Sequence, residues 1–133
     1  MTKKLPELWL QYADDDLRSA ETLMTAEIYN MVCFHSQQVE EKAFKAIIAL
    51  YNREIIRTHN LLRLHETCKN LHNVELDIET DWLIFLNDVY IDSRYPADFG
   101  LLPGGQPEQK DALQALNYAK AIYEKIQPII NKG

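Results

Sequence analysis

The sequence predicts an all-α protein, an antiparallel up-and-down bundle of four long helices plus a shorter helix, built as a single domain over residues 1–133. Three observations predict it. Apolar residues recur at three-four spacing through five successive segments, which is the period of one helix face. The chain has four glycines and five prolines, too few for a strand-rich fold with many tight turns. Six of those nine fall between Pro96 and Pro107, so one long loop is expected at 95–106. The other connections look short, which makes neighbouring helices antiparallel.

The first helix is expected over 6–25. Pro6 sits in its first turn, where a missing N–H costs nothing, and Leu10, Ala13, Leu17, Ala20 and Met24 form its buried stripe. A second, longer helix runs from about Ile28 to Asn52. The third spans about Asn60 to Leu71, with Leu61, Leu64, Cys68 and Leu71 on one side. The fourth, from about Ile78 to Ser93, repeats Trp82, Phe85 or Leu86, and Val89. The last, from about Pro107 to Ile130, carries Ala112, Leu116, Ala119, Tyr123, Ile126 and Ile130. Pro128 is expected to fray or bend its final turn.

The second helix has two apolar faces. On a wheel with His35 at zero, Val32, Val39, Ala43, Ala46, Ile47 and Leu50 fall between roughly 20° and 120°. Phe34, Phe44, Ile48 and Tyr51 fall between roughly 160° and 260°. A helix with two such faces is either central in its own bundle or meets a second chain. A homodimer interface is the expected use, since twofold dimers are the commonest oligomers.

Composition narrows the function. With 47% hydrophobic and 26% charged residues the balance is that of a globular domain, not a disordered tail. The net charge of −6 excludes a general nucleic-acid or acidic-membrane binder. No targeting signal and no run of 18 apolar residues is evident, so no membrane segment is expected and the cytoplasm is the default location. Cys33 and Cys68 are too few for a disulfide scaffold and read as buried free thiols.

The global charge conceals a local anomaly. From Lys42 to His65 the chain has five Lys or Arg (Lys42, Lys45, Arg53, Arg57, Arg63) against the single acid Glu54, a local excess of four positive charges. Three of the four histidines (His59, His65, His72) lie between 59 and 72. Phosphate is the ligand such a patch suits. The competing use is a solvated face whose cations pair with Glu40, Glu41 and nearby acids. Phosphate-loop, dinucleotide-binding and HExxH patterns are absent, and the histidine spacing is wrong for a shared ion, so no metal or cofactor is expected. Arg94 closes the fourth helix. It either complements the terminal carbonyls or reaches a cleft shared with Arg57 and His59. Tyr95, preceding Pro96, is pushed out of the α region and stops the helix.

These segments carry a family resemblance. The run Phe34-His-Ser-Gln-Gln-Val-Glu-Glu-Lys-Ala-Phe-Lys-Ala resembles the second-helix signature of HEPN domains. Arg57-Thr-His59-Asn60-Leu resembles the R-T-H-D-L element that follows it, with Asn60 in place of aspartate, and Asp92-Ser-Arg94-Tyr95-Pro96 is similar to the family's RYP element. Trp9, Ala13, Asp16, Leu17 and Ala20 fit the first-helix pattern. The resemblance implies a dimeric helical bundle with a nucleotide- or RNA-related role, similar to small stand-alone HEPN proteins encoded beside a minimal nucleotidyltransferase. The expected function is the partner subunit of such an enzyme in a toxin–antitoxin type pair. The expected nucleotide- or phosphate-binding residues are Lys42, Lys45, Arg57, His59, Arg94 and Tyr95. Many HEPN proteins are metal-independent ribonucleases, in which an arginine is followed a few residues later by a histidine that acts as acid–base on the 2′-hydroxyl. No histidine follows Arg94 here. Arg53 or Arg57 with His59 is the remaining candidate for that chemistry, between the second and third helices. A purely structural interaction module is the third possibility.

Overall fold

The computed structural model describes residues 3–71, 74–95 and 105–132. Five helices follow in order: α1 (Leu5–Thr25), α2 (Tyr29–Leu50), α3 (Leu61–Lys69), α4 (Thr80–Arg94) and α5 (Gln109–Lys132). Among the described residues no strand is present. Four helices are long and α3 is the short one, as the three-four periodicity predicts. No helix is long and apolar enough to cross a membrane among the described residues. His72, Pro96, Gly100, Pro103 and Gly104, and with them most of the 95–106 loop, lie outside the described residues.

The central element is α2, which packs on α1, α3, α4 and α5. Its two apolar faces are both used within the single chain. Val32, Val39, Ala43, Ala46 and Ile47 on one face, and Phe44 and Ile48 on the other, are all fully buried. The two-face argument for a dimer is therefore answered by the protomer's own core. A second chain must meet some other surface.

Connections are longer than the sequence suggests. Residues 51–60 and 70–79 separate α2 from α3 and α3 from α4. Both segments fold back on the core through Ile55, Ile56, Leu71, Leu76 and Ile78. The buried His65 anchors the second of them, its Nε2 lying 3.0 Å from the Leu76 carbonyl while its ring stacks on Phe44. It is a structural histidine.

Helix ends explain the shifted boundaries. Both α1 and α2 close without glycine, on left-handed residues Glu27 (φ 62°) and Asn52 (φ 54°). In each case the following N–H reaches back to close the motif, Ile28 to the Leu23 carbonyl and Arg53 to the Ile48 carbonyl. Asn60 caps α3 by accepting from the Leu62 N–H. The same oxygen accepts from Asn87 Nδ2, while Asn87 Oδ1 accepts from the Leu61 N–H. Tyr95 is extended (φ −127°, ψ 139°), as a residue before proline should be. Pro128 does not end α5, which continues to Lys132. Proline removes only its own N–H, and the carbonyl left over belongs to Glu124, an exposed position where water can serve it.

Candidate functional site

The site is built outward from one face of α2. Gln37 and Glu41 lie one turn apart and are buried, so each needs an internal partner. The segment after α2 supplies both. Gln37 Nε2 donates to the His59 carbonyl at 2.8 Å, and Glu41 Oε1 lies 2.8 Å from His59 Nδ1. Backbone and ring of His59 are thus held from the same helix face. A carboxylate only accepts, so Nδ1 carries a proton, and in the neutral imidazole Nε2 is the acceptor. The side chain of His59 is 63% exposed, which leaves that acceptor open to a ligand.

On the far side His59 meets α4. Its ring centroid is 5.5 Å from that of Tyr90, which in turn stacks on Phe34 at 5.7 Å. Arg94 Nη1 donates to the Tyr90 hydroxyl oxygen at 3.2 Å, and its guanidinium rests over both the Tyr90 and Tyr95 rings. Burial raises the Tyr90 phenol above its ordinary range; the Arg94 charge and hydrogen bond pull the other way without cancelling it. The phenol therefore stays protonated near neutral pH and keeps a hydrogen to donate. His59 and Arg94 both contact the buried Tyr90, and Arg94 also contacts the exposed Tyr95, so the four form one connected polar and aromatic cluster. Arg57 is exposed two residues before His59.

Several expected site residues are placed elsewhere. Lys45 is buried, 3.0 Å from the second Glu41 oxygen and over the Trp9 ring. Lys42 lies 2.5 Å from Asp16 Oδ2 on α1. These two ammoniums are neutralised inside the bundle, which is the pairing weighed against a phosphate patch, although Asp16 rather than Glu40 is the second acid. Arg53 lines a separate hollow with Lys4, Glu7 and Ile130. Only Arg57, His59, Arg94 and Tyr95 of the expected set are exposed near one another in chain or contact.

Asp16 and Glu41 are used alike. Each buried carboxylate offers one oxygen to a lysine and the other to a histidine Nδ1, with His35 taking that role at Asp16 (2.7 Å). Both acids, and Tyr90, are residues that sequence reasoning leaves out of the site. Asp16 has a legible signal, since it lies three residues beyond Ala13 on the edge of an apolar stripe. Tyr90 has none, because its partners come from three different elements. No group of three or more His, Cys, Asp or Glu able to hold a metal occurs among the described residues.

A five-helix chain of this order, with a carboxylate-held histidine linked through a tyrosine to an arginine on the next long helix, defines a class of small α-helical bundle proteins. The family model of the HEPN domain matches residues 6–129, and the chain belongs to that family. It is 29% identical over 144 residues to a protein of Methanocaldococcus jannaschii named "Putative toxin MJ1304", covering 97% of this chain and 90% of that one. Among solved structures it is similar to TT1696 from Thermus thermophilus (TM-score 0.77, 24% identity, 95% of this chain and 98% of that one). It also resembles ST0689, an archaeal HEPN homologue (TM-score 0.67, 25% identity, 97% and 99%).

Proposed function

We propose that this HEPN protein binds the phosphates of RNA or a nucleotide on the His59–Tyr90–Arg94 surface, as the toxin–antitoxin type partner of a minimal nucleotidyltransferase in the cytoplasm. The observation that carries the reading is the exposed imidazole of His59, held by Glu41 and linked through Tyr90 to Arg94. An imidazole acceptor beside a guanidinium suits a phosphodiester with its adjacent hydroxyl. The similarity to a protein named as a toxin supports the biological setting.

A homodimer completes the proposal. Ile84 and Ile91 are exposed and fall on one face of α4, the helix that bears Arg94, and the exposed Tyr95 follows directly after its end. Twofold contact through that face sets two such surfaces side by side.

A second reading is a metal-independent ribonuclease. It is favoured by the tautomer of His59, whose free Nε2 is what a general base on the 2′-hydroxyl needs. Arg94 or Arg57, not Arg53, is then its phosphate partner.

Fluorescence anisotropy with short labelled RNAs, in chelator and at fixed salt, tests both. Binding that weakens about tenfold in His59→Ala and in Arg94→Ala supports the site, and cleavage lost in His59→Ala supports the nuclease. No binding at all overturns both readings and leaves an interaction module. Light scattering that gives a mass near 15.5 kDa at every concentration removes the dimer.

A further inference from the structure

The first turn of α3 is tied down from α4. Leu61 and Leu62 open α3, so their N–H groups have no partner inside the helix. Asn87 Oδ1 accepts from the Leu61 N–H at 3.1 Å, and Asn60 Oδ1 accepts from the Leu62 N–H at 3.0 Å. Asn87 Nδ2 donates to that same Asn60 oxygen at 3.1 Å. We propose that Asn87 is a positioning residue for the site: by gripping the chain directly after His59, it sets the imidazole at its working distance from Arg94. The inference deepens the phosphate reading above and rests on it.

Only one orientation of the two amides satisfies these bonds. Both backbone groups are donors, so each must meet a side-chain oxygen, which leaves the Asn87 nitrogen facing the Asn60 oxygen. A cap on α3 needs an acceptor alone. The donor end of Asn87 does something further, because it holds Asn60, the residue that ends the connector 51–60 and follows His59. Both ends of the Asn87 amide are engaged inside the protein, so it acts through His59 rather than on a ligand.

Asn87, Tyr90 and Arg94 recur at three-four spacing and share one side of α4. The first grips the backbone at 60–61. The second has its ring centroid 5.5 Å from that of His59, and its hydroxyl accepts from the third.

Gln37 and Glu41 hold the carbonyl and the ring of His59, and both stand on α2. They set the imidazole relative to α2, whereas Arg94 stands on α4. A phosphate that meets both imidazole and guanidinium needs the two groups in register across those helices. The Asn87 bonds tie the histidine's chain to the helix that carries the arginine.

Fluorescence anisotropy with a short labelled RNA and proton NMR of the His59 ring, both on the full chain, test the proposal. Asn87→Ala is expected to weaken RNA binding about fivefold, and to add nothing once His59→Ala or Arg94→Ala is present. The His59 ring protons, which lie against Tyr90, are expected to move in Asn87→Ala toward the shifts of a free histidine. Asn60→Ala removes the other half of the grip at an exposed position, is expected to match both effects, and serves alone if Asn87→Ala does not fold. An equal loss in every background, or native ring shifts in both variants, overturns the proposal and leaves Asn87 as a cap of α3. If His59→Ala and Arg94→Ala leave RNA binding intact, the phosphate reading fails by itself. The ring shifts then decide the positioning role: movement supports it and native shifts overturn it.

Discussion

Glu41 holds His59 from below, its Oε1 2.8 Å from the ring Nδ1 while Oε2 takes the ammonium of Lys45 at 3.0 Å. The exposed histidine and the buried lysine thus share one carboxylate. Replacing Glu41 with glutamine keeps the shape and removes the charge, which leaves the Lys45 ammonium uncompensated in the bundle. Loss of one partner of a buried ion pair costs about 3–5 kcal/mol when fully desolvated, and somewhat less here because His59 is exposed. Urea unfolding of Glu41→Gln is expected to show a loss of about 1–3 kcal/mol. The double variant Glu41→Gln, Lys45→Met is expected to recover most of it, because no uncompensated ammonium is then left in the bundle while the amide oxygen can still accept from His59 Nδ1. A double variant no more stable than the single one would show that the pair is not what Glu41 supplies.

Glu40, the next residue, has the opposite fate. It is fully buried and both carboxyl oxygens lack a hydrogen-bond partner, as does the hydroxyl of Ser36 one turn earlier. Burial pushes its pKa well above 4.5, so the folded protein holds it as the neutral acid. The sign follows from proton counts. Above the unfolded value of 4.5 the unfolded chain releases this proton and the folded chain keeps it, so rising pH favours unfolding until the folded pKa is passed. The gap in stability between Glu40→Gln and the native protein is therefore expected to widen from about pH 5 to about pH 8, with the variant ahead. Glu40→Met, which removes the unsatisfied oxygens, is expected to gain about 1–3 kcal/mol at the upper end. Chemical denaturation at the two pH values measures both, and a pH-independent gap contradicts the account.

Most of the fold is legible because burial writes itself into the sequence at a period of about 3.6. Leu10, Ala13, Leu17 and Ala20, or Ala112, Ala119 and Ile126, need no tertiary information to be placed inside. The helix ends are harder to read, since α1 and α2 stop on Glu27 and Asn52 rather than on glycine. Part of the site is legible too: Arg57, His59 and Arg94 stand out by charge, by clustering and by the family motifs. What periodicity cannot show is which acid a cation chooses. Lys42 reaches Asp16 across to α1, 26 residues away in sequence, and Tyr90 meets His59 because the connector after α2 is held back on that helix by Gln37 and Glu41. Local spacing carries no trace of either contact.

The two thiols offer a direct check on the core. Cys33 and Cys68 are fully buried and unpaired, and burial drives each pKa up to about 12; for Cys33 the nearby Asp111 and Asp92 add to the rise. The thiolate is the reactive species, so both are expected to resist a thiol reagent near pH 8 in the native state. On unfolding, both should react at the rate of free cysteine. A native thiol that reacts within the mixing time would mean that the packing around α2 is looser than described.

The turn between α1 and α2 supplies the last prediction. Glu27 sits at φ 62°, and its N–H closes on the Met24 carbonyl at 3.1 Å while Ile28 closes on Leu23 at 3.0 Å. This is the helix-ending motif that glycine ordinarily occupies, because a Cβ in the left-handed region costs about 1–2 kcal/mol. Glu27→Gly removes that cost and is expected to raise stability by about 1 kcal/mol, seen as a higher urea midpoint with unchanged slope. Glu27→Ala keeps the Cβ and separates backbone strain from carboxylate charge. If the strain argument holds, alanine leaves the midpoint nearly where it was while glycine raises it. A rise of equal size in both variants would trace the effect to loss of the Glu27 charge instead.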